Sequence, residues 1–119
     1  MTTRQEVISF CLTLPGATED YPFGPEWSIM RHSGNRKMFA AITERFGQIW
    51  INVKADPMWG KVWKDAYSAV VPAFHMNKEH WLSIILDGTM VDTDIQRLIL
   101  DSFDLTAPKR KKHHKKEHT

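Results

Sequence analysis

Apolar positions along the chain follow two rhythms, one helical and one alternating. Val7, Phe10, Cys11 and Leu14 recur at i, i+3, i+4 and i+7, a stripe along one side of a helix. Thr3 and Glu6 precede it as a capping box, in which hydroxyl and carboxylate satisfy the first free amides. Leu14-Pro15-Gly16 ends it. Residues 15–25 hold three of the six prolines and two of the six glycines, which predicts a loop. Tyr21 and Phe23 within it predict that the loop packs on the body, and Tyr21-Pro22 is a candidate cis bond.

The rhythm then changes to alternation. Residues 27–31 and 37–42 read as strands around a Ser33-Gly34-Asn35 turn. In residues 48–53, Ile49, Ile51 and Val53 share one face and Trp50 and Asn52 the other; if Trp50 faces away from the helices, it sits with Asn52 on an exposed sheet surface. Asp56-Pro57 predicts a second helix, with Asp as N-cap, Pro in the first turn and Trp59, Val62, Trp63 and Ala66 as the buried stripe. Residues 70–74 and 81–86 predict two more strands, the first at an edge because of Pro72. Asp92 is the expected cap of a last helix burying Ile95, Leu98, Ile99 and Phe103. The order is α-β-β-β-α-β-β-α, an α+β domain with helices over one face of a mostly antiparallel sheet.

Charge divides the chain in two. Residues 109–119 carry six Lys/Arg and one acid, while residues 1–108 carry 10 Lys/Arg and 13 Asp/Glu. One domain over 1–107 and a basic tail over 108–119, expected to be disordered, account for that contrast. The single cysteine excludes an internal disulfide framework and multi-Cys zinc sites. No apolar run reaches the ~18 residues that span a bilayer, and the N-terminus reads directly into a helix, so a soluble cytoplasmic protein is expected.

Several strings in this order resemble the MmcQ/YjbR-like family of small bacterial proteins. They are Cys11-Leu-Thr-Leu-Pro-Gly16, Thr18-Glu-Asp-Tyr-Pro-Phe-Gly-Pro25, Lys37-Met-Phe-Ala40, Pro72-Ala-Phe-His-Met-Asn-Lys-Glu-His-Trp81 and Leu86-Asp-Gly88. The resemblance covers about residues 5–105. It implies a two-layer α-β(3)-α-β(2)-α fold like that of secretion chaperones, cytoplasmic residence and a DNA-binding label in which β-hairpins act as wings. It supplies no catalytic residues. The basic tail departs from the family pattern, and residues 41–48 do not align with it.

Candidate binding groups follow from residue type and position. His75, Asn77, Lys78 and His80 occupy one loop between strands and could meet phosphates or base edges, with Trp81 available to stack. The same residues could equally serve the turn's own backbone and the core. Lys54, with Lys61 and Lys64 on the second helix, could form a patch with Lys78, and Arg36 and Lys37 flank the first hairpin. Lys109, Arg110, Lys111 and Lys112 open the tail, whose six bases could neutralise ~6 phosphates for a salt slope of about −5. His75, His80, His32, Asp20 and Asp87 lack a ligand spacing such as H-E-x-x-H, so no metal or cofactor is expected. Phosphate-loop and nucleophile-elbow motifs are absent and Cys11 lies on an apolar stripe, so an enzyme is not expected. Two functions remain: a monomer binding double-stranded DNA through its hairpin loops and tail, or a chaperone-like module taking a protein or peptide on an exposed sheet face or on the aromatic loop around Tyr21 and Phe23.

Overall fold

The computed structural model describes residues 1–109. The elements are α1 (Arg4–Leu12), β1 (Ala17–Asp20), β2 (Ser28–His32), β3 (Met38–Arg45), β4 (Gln48–Lys54), α2 (Pro57–Ala66), β5 (Val70–Pro72), β6 (Trp81–Ile85) and α3 (Asp92–Thr106). The strands form one antiparallel sheet in the order β1-β2-β3-β4-β6-β5. Helices cover one face, as the α+β two-layer reading implies. The expected disorder of the tail falls, from residue 110 onward, outside the described residues.

The core lies between that face and the helices. Ile51 and Val53 of β4, Ile42 of β3 and Ile84 of β6 meet Val7 and Cys11 of α1 and Ile95, Leu98 and Ile99 of α3. A β-bulge sits where β2 and β3 slip between Met30 and Arg31. It lets two consecutive residues, Phe39 and Ala40, both enter the core. Burial pushes the Cys11 thiol up to about 12, so it packs as a small hydrophobe.

Both predicted caps of the first two helices are present. Thr3 and Glu6 form the capping box of α1. The Asp56 carboxylate accepts from the Met58 and Trp59 amides at 2.9 and 3.3 Å, with Pro57 in the first turn.

Five details differ from the sequence reading. Ala17–Asp20 is a strand, not part of a loop, so the meander has four strands. Its polar residues carry no apolar alternation, and it forms by backbone pairing to β2, with an ion pair from Asp20 to Arg31. Tyr21-Pro22 is trans, as is every peptide bond of the described residues. Val91, not Asp92, is the N-cap of α3, and Asp92 and Asp94 lie in its first turn, where acids suit the helix dipole. Trp59 is 63% exposed rather than core, and Trp63 only borders the core. Gly60 is the buried residue of α2 and faces Leu82, so the helix presents a small residue to the sheet and leaves Trp59 and Val62 toward solvent. Finally, the sheet face carrying Trp50 and Asn52 is not open, because the β5–β6 loop covers it.

Candidate functional site

The covering loop spans residues 73–80 and is held by side chains from beneath. Asn52 and Ser83 are directly opposite on β4 and β6. The Ser83 hydroxyl donates to Asn52 Oδ1 at 2.5 Å. Asn52 Nδ2 donates to the Phe74 carbonyl at 2.7 Å, and the Phe74 amide donates to Ser83 Oγ at 2.8 Å. Two buried polar side chains thus satisfy both backbone groups of one loop residue, and Asn52 is left 1% exposed. Beneath the loop a second apolar cluster forms around a cavity of about 280 Å³ lined by Trp27, Ile29, Met38, Ala41 and Met76.

An arginine and four rings sit beside this cluster. The Arg45 guanidinium lies 3.5 Å from the Phe74 ring centroid, 4.3 Å from that of Trp50 and 4.9 Å from that of Phe46. Phe74 also stacks on Trp27 at 6.2 Å and meets His75 at 4.0 Å. Phe46 and Gly47 close the β3–β4 hairpin with φ of 53° and 77°, the positive values a two-residue type I′ turn demands. His75 and Arg36 also hold positive φ, at 60° and 63°. Among the described residues the three non-glycine residues of this kind all occupy strand connections.

The predicted residues divide between two places. Asn77 serves its own loop, its Oδ1 accepting from the Glu79 and His80 amides at 2.8 and 3.2 Å. Lys78 turns inward, its ammonium donating to the Ala73 carbonyl at 2.9 Å. His75 and His80 are exposed, and His80 Nε2 stands 4.0 Å from Glu79. Lys61 and Lys64 lie on α2 in the helix layer while Lys78 is on the opposite face, so these lysines do not join in one patch.

Arg36, Lys37 and Lys54 are at one end of the sheet, where β3 begins and β4 finishes. The β2–β3 turn there is closed by Arg36 N donating to His32 O at 2.8 Å and His32 N donating to Lys37 O at 2.9 Å. The C-terminal end of α3 docks on it: Asn35 Nδ2 donates to the Thr106 carbonyl at 2.9 Å. Pro108 seats on Gly34, where an added Cβ would come within 2.9 Å of its ring. Lys109 follows directly, beside this turn. Arg110, Lys111 and Lys112 lie outside the described residues. Arg31, next to this end, is already paired with Asp20 at 3.1 Å.

Sequence reasoning missed Arg45, Phe46 and the role of Trp27. Arg45 and Phe46 fall in the stretch 41–48 that resists alignment. Strand alternation could have found Arg45, since Thr43 pairs with Trp50 and Arg45 shares the face of Thr43. A groove between α2 and α3 was also missed. It encloses about 270 Å³ between Trp59, Trp63, Leu98 and Leu105, with Asp56, Asp101 and Asp104 around it. Burial holds the Asp101 carboxyl above its usual range, with Asp104 adding to the effect and Arg97 opposing it. Among the described residues no three His, Cys, Asp or Glu side chains gather to hold a metal ion. No helix among them is long and apolar enough to cross a membrane.

Comparison with known proteins gives a consistent result. The family model described as YjbR matches residues 12–105. The chain is 33% identical over 96 residues to the uncharacterized protein YbdF of Escherichia coli O157:H7, covering 81% of this chain and 77% of that one. It is 31% identical over 118 residues to the uncharacterized protein YyaQ of Bacillus subtilis, covering 89% and 99%. The crystal structure of Deinococcus radiodurans protein DR2400, of the DUF419 domain type, is similar at a TM-score of 0.84 and 28% identity, covering 98% of this chain and 88% of that one.

Proposed function

The chain belongs to the YjbR family, and from that premise we propose that it binds duplex DNA as a cytoplasmic monomer, without catalysing a reaction. The contact is made at the end of the sheet that holds the β2–β3 turn. The observation that carries the reading is the seating of Pro108 on Gly34. It starts the basic stretch of residues 109–119 beside Arg36 and Lys37, so cations remote in sequence can act on one phosphate track. The folded body carries more acids than bases, so this convergence supplies the positive surface that the body as a whole lacks.

A salt titration of duplex binding by fluorescence anisotropy tests it. The full chain is expected to lose affinity steeply with salt, with a slope of about −5 or steeper. Replacing Arg36, Lys37 and Lys54 together by Gln should flatten that slope by about 2 to 3 and weaken all duplex sequences alike. Replacing Lys109, Arg110, Lys111 and Lys112 by Gln should flatten it further. No duplex binding at low salt, or binding indifferent to both sets, would overturn the proposal.

A second reading has its own observation. Met58 and Trp59 of α2 are 77% and 63% exposed, and the groove beside them is rimmed by Asp56, Asp101 and Asp104. An apolar surface with acids at its edge fits a basic peptide. This replaces the expected exposed sheet face, which the 73–80 loop closes. Capture of a lysine-rich peptide that alters tryptophan emission, in a protein that ignores duplex DNA, would favour it.

A further inference from the structure

We propose that the cleft between Arg45, Trp50, Phe74, His75 and Lys78 binds a small aromatic anion, a flat ring carrying a phosphate or a carboxylate. The site is on the loop-covered face, apart from the sheet end described above, so the two readings stand or fall separately.

The cleft measures about 690 Å³, within the ~300–1,000 Å³ typical of small-molecule sites. No carboxylate lines it. Arg45 makes no hydrogen bond or ion pair among the described residues. Its guanidinium lies over the rings of Phe74, Trp50 and Phe46 instead. Packed against these rings and bonded to no other group, the guanidinium keeps its N–H donors available to fork onto two oxygens of an anion. The rings also restrict its motion, so little is lost when an anion is bound. Lys78 is anchored by one of its three N–H donors to the Ala73 carbonyl, which leaves two to offer.

Two observations point to a ligand with a ring. The Trp50 indole N–H is buried and has no hydrogen-bond partner among the described residues, and Trp50 forms part of the cleft wall. A buried donor without an acceptor costs free energy, and a small shift of the cleft wall as an anion seats on Arg45 would bring it one. Phe46 stands 86% exposed at a hairpin tip, in the positive-φ conformation that favours Asn or Gly. An aromatic side chain there gains nothing from the core and costs solvation, but it offers an open face beside Arg45 on which a planar group can stack.

The test follows the tryptophan indole signals of the full chain in ¹H–¹⁵N spectra, with that of Trp50 assigned through Trp50→Phe. The probes are 1-naphthyl phosphate, 1-naphthoate, inorganic phosphate and neutral 2-naphthol. A saturable shift of the Trp50 signal is expected with one or both naphthyl anions, and which of them is stronger identifies the head group. Inorganic phosphate and 2-naphthol should each bind about tenfold more weakly or less. Arg45→Gln should weaken the anion about tenfold or more, the loss of a charge-assisted hydrogen bond, with the other four indole signals unmoved. If that variant does not fold, Arg45→Lys keeps the charge without the fork and should bind with intermediate strength. Phe46→Ser, at an exposed tip, should weaken the naphthyl anions several-fold and leave inorganic phosphate unchanged. An unmoved Trp50 signal, equal binding of inorganic phosphate or 2-naphthol, or undiminished binding by the Arg45 variants overturns the proposal.

Discussion

Ile51 and Asn52 are neighbours on β4 and face opposite sides of the same sheet. Both are almost fully buried, for different reasons. Ile51 meets the helices and is held by apolar contact alone. Asn52 lies under a loop and is held by two hydrogen bonds, one to the loop backbone and one to Ser83. A helix satisfies its own backbone and needs only an apolar stripe to cover a sheet. A loop brings unsatisfied amides and carbonyls, so covering a sheet with one requires polar side chains beneath. The polar side is also where the cleft with Arg45 and the unpartnered Trp50 donor is found. The two faces thus differ in what holds their cover in place, apolar contact on one and hydrogen bonds on the other.

The largest expected effect tests that separation directly. Ile51→Ala should cost about 2–5 kcal/mol, the range for truncating a buried branched side chain, and lower protection from hydrogen exchange across the whole core. Asn52→Ala should cost about 1–3 kcal/mol, the penalty for leaving the Phe74 carbonyl and the Ser83 hydroxyl unpaired. Its loss of protection should concentrate in residues 73–80. Denaturant titration and native-state hydrogen exchange measure both, and a uniform loss in Asn52→Ala would erase the distinction between the faces.

A pH change sharpens the same contrast from the helix side. His32 Nε2 is paired with Thr106 Oγ1 at 2.9 Å, and the ring packs on Phe103 and Phe39. Burial pushes its pKa below the ordinary 6.5, against weaker opposing effects of a hydrogen bond to the Phe103 backbone and of the Asp104 charge. The unfolded chain therefore binds the proton more readily than the folded one. This contribution to stability is complete above about pH 6.5 and falls as pH drops below it. Thermal unfolding at pH 7.5 and 5.5 should show a lower midpoint in acid, with a smaller drop in His32→Gln. An equal drop in that variant would assign the effect to other groups.

The smallest effect concerns α2. A Cβ on Gly60 would lie 3.6 Å from Leu82, an ordinary contact. Gly60→Ala should therefore stabilise the protein by about 0.5–1 kcal/mol through helix propensity. A destabilised variant, by denaturant titration, would mean that the close approach of α2 to Leu82 tolerates no added methyl.

Much of the helix side was legible in the sequence, because burial there is written as apolar periodicity. The stripes of α1 and α3, the capping box at Thr3 and Glu6, and the Asp56-Pro57 start are all local patterns. Trp59 misled because periodicity reports an apolar stripe and not whether anything covers it. β1 was illegible for the opposite reason: its pairing uses backbone groups, which every sequence has. On the loop side, Asn77 could be read either as a ligand group or as a turn residue, and its carboxamide turns out to serve the Glu79 and His80 amides. Alternation along β3 places Arg45 on the face of Trp50, but its meaning depends on Phe74, far away in sequence.

The strand order also bears on how the molecule forms. β1 to β4 pair with their neighbours in sequence, whereas β4 joins β6 only after residues 55–80 have been looped out. Short loops close at lower entropic cost, so the meander can assemble before the β5–β6 hairpin docks. Pulse-labelled exchange during refolding should then protect the Ile42 and Trp50 amides, which face β2 and β3, before that of Ile84, and simultaneous protection would contradict this order. The Asn52–Ser83 pair needs one residue from each part, so the cleft it supports comes into being at the last step. The cleft can be lost by release of residues 73–80 alone, with β6 and its core residues Leu82 and Ile84 in place.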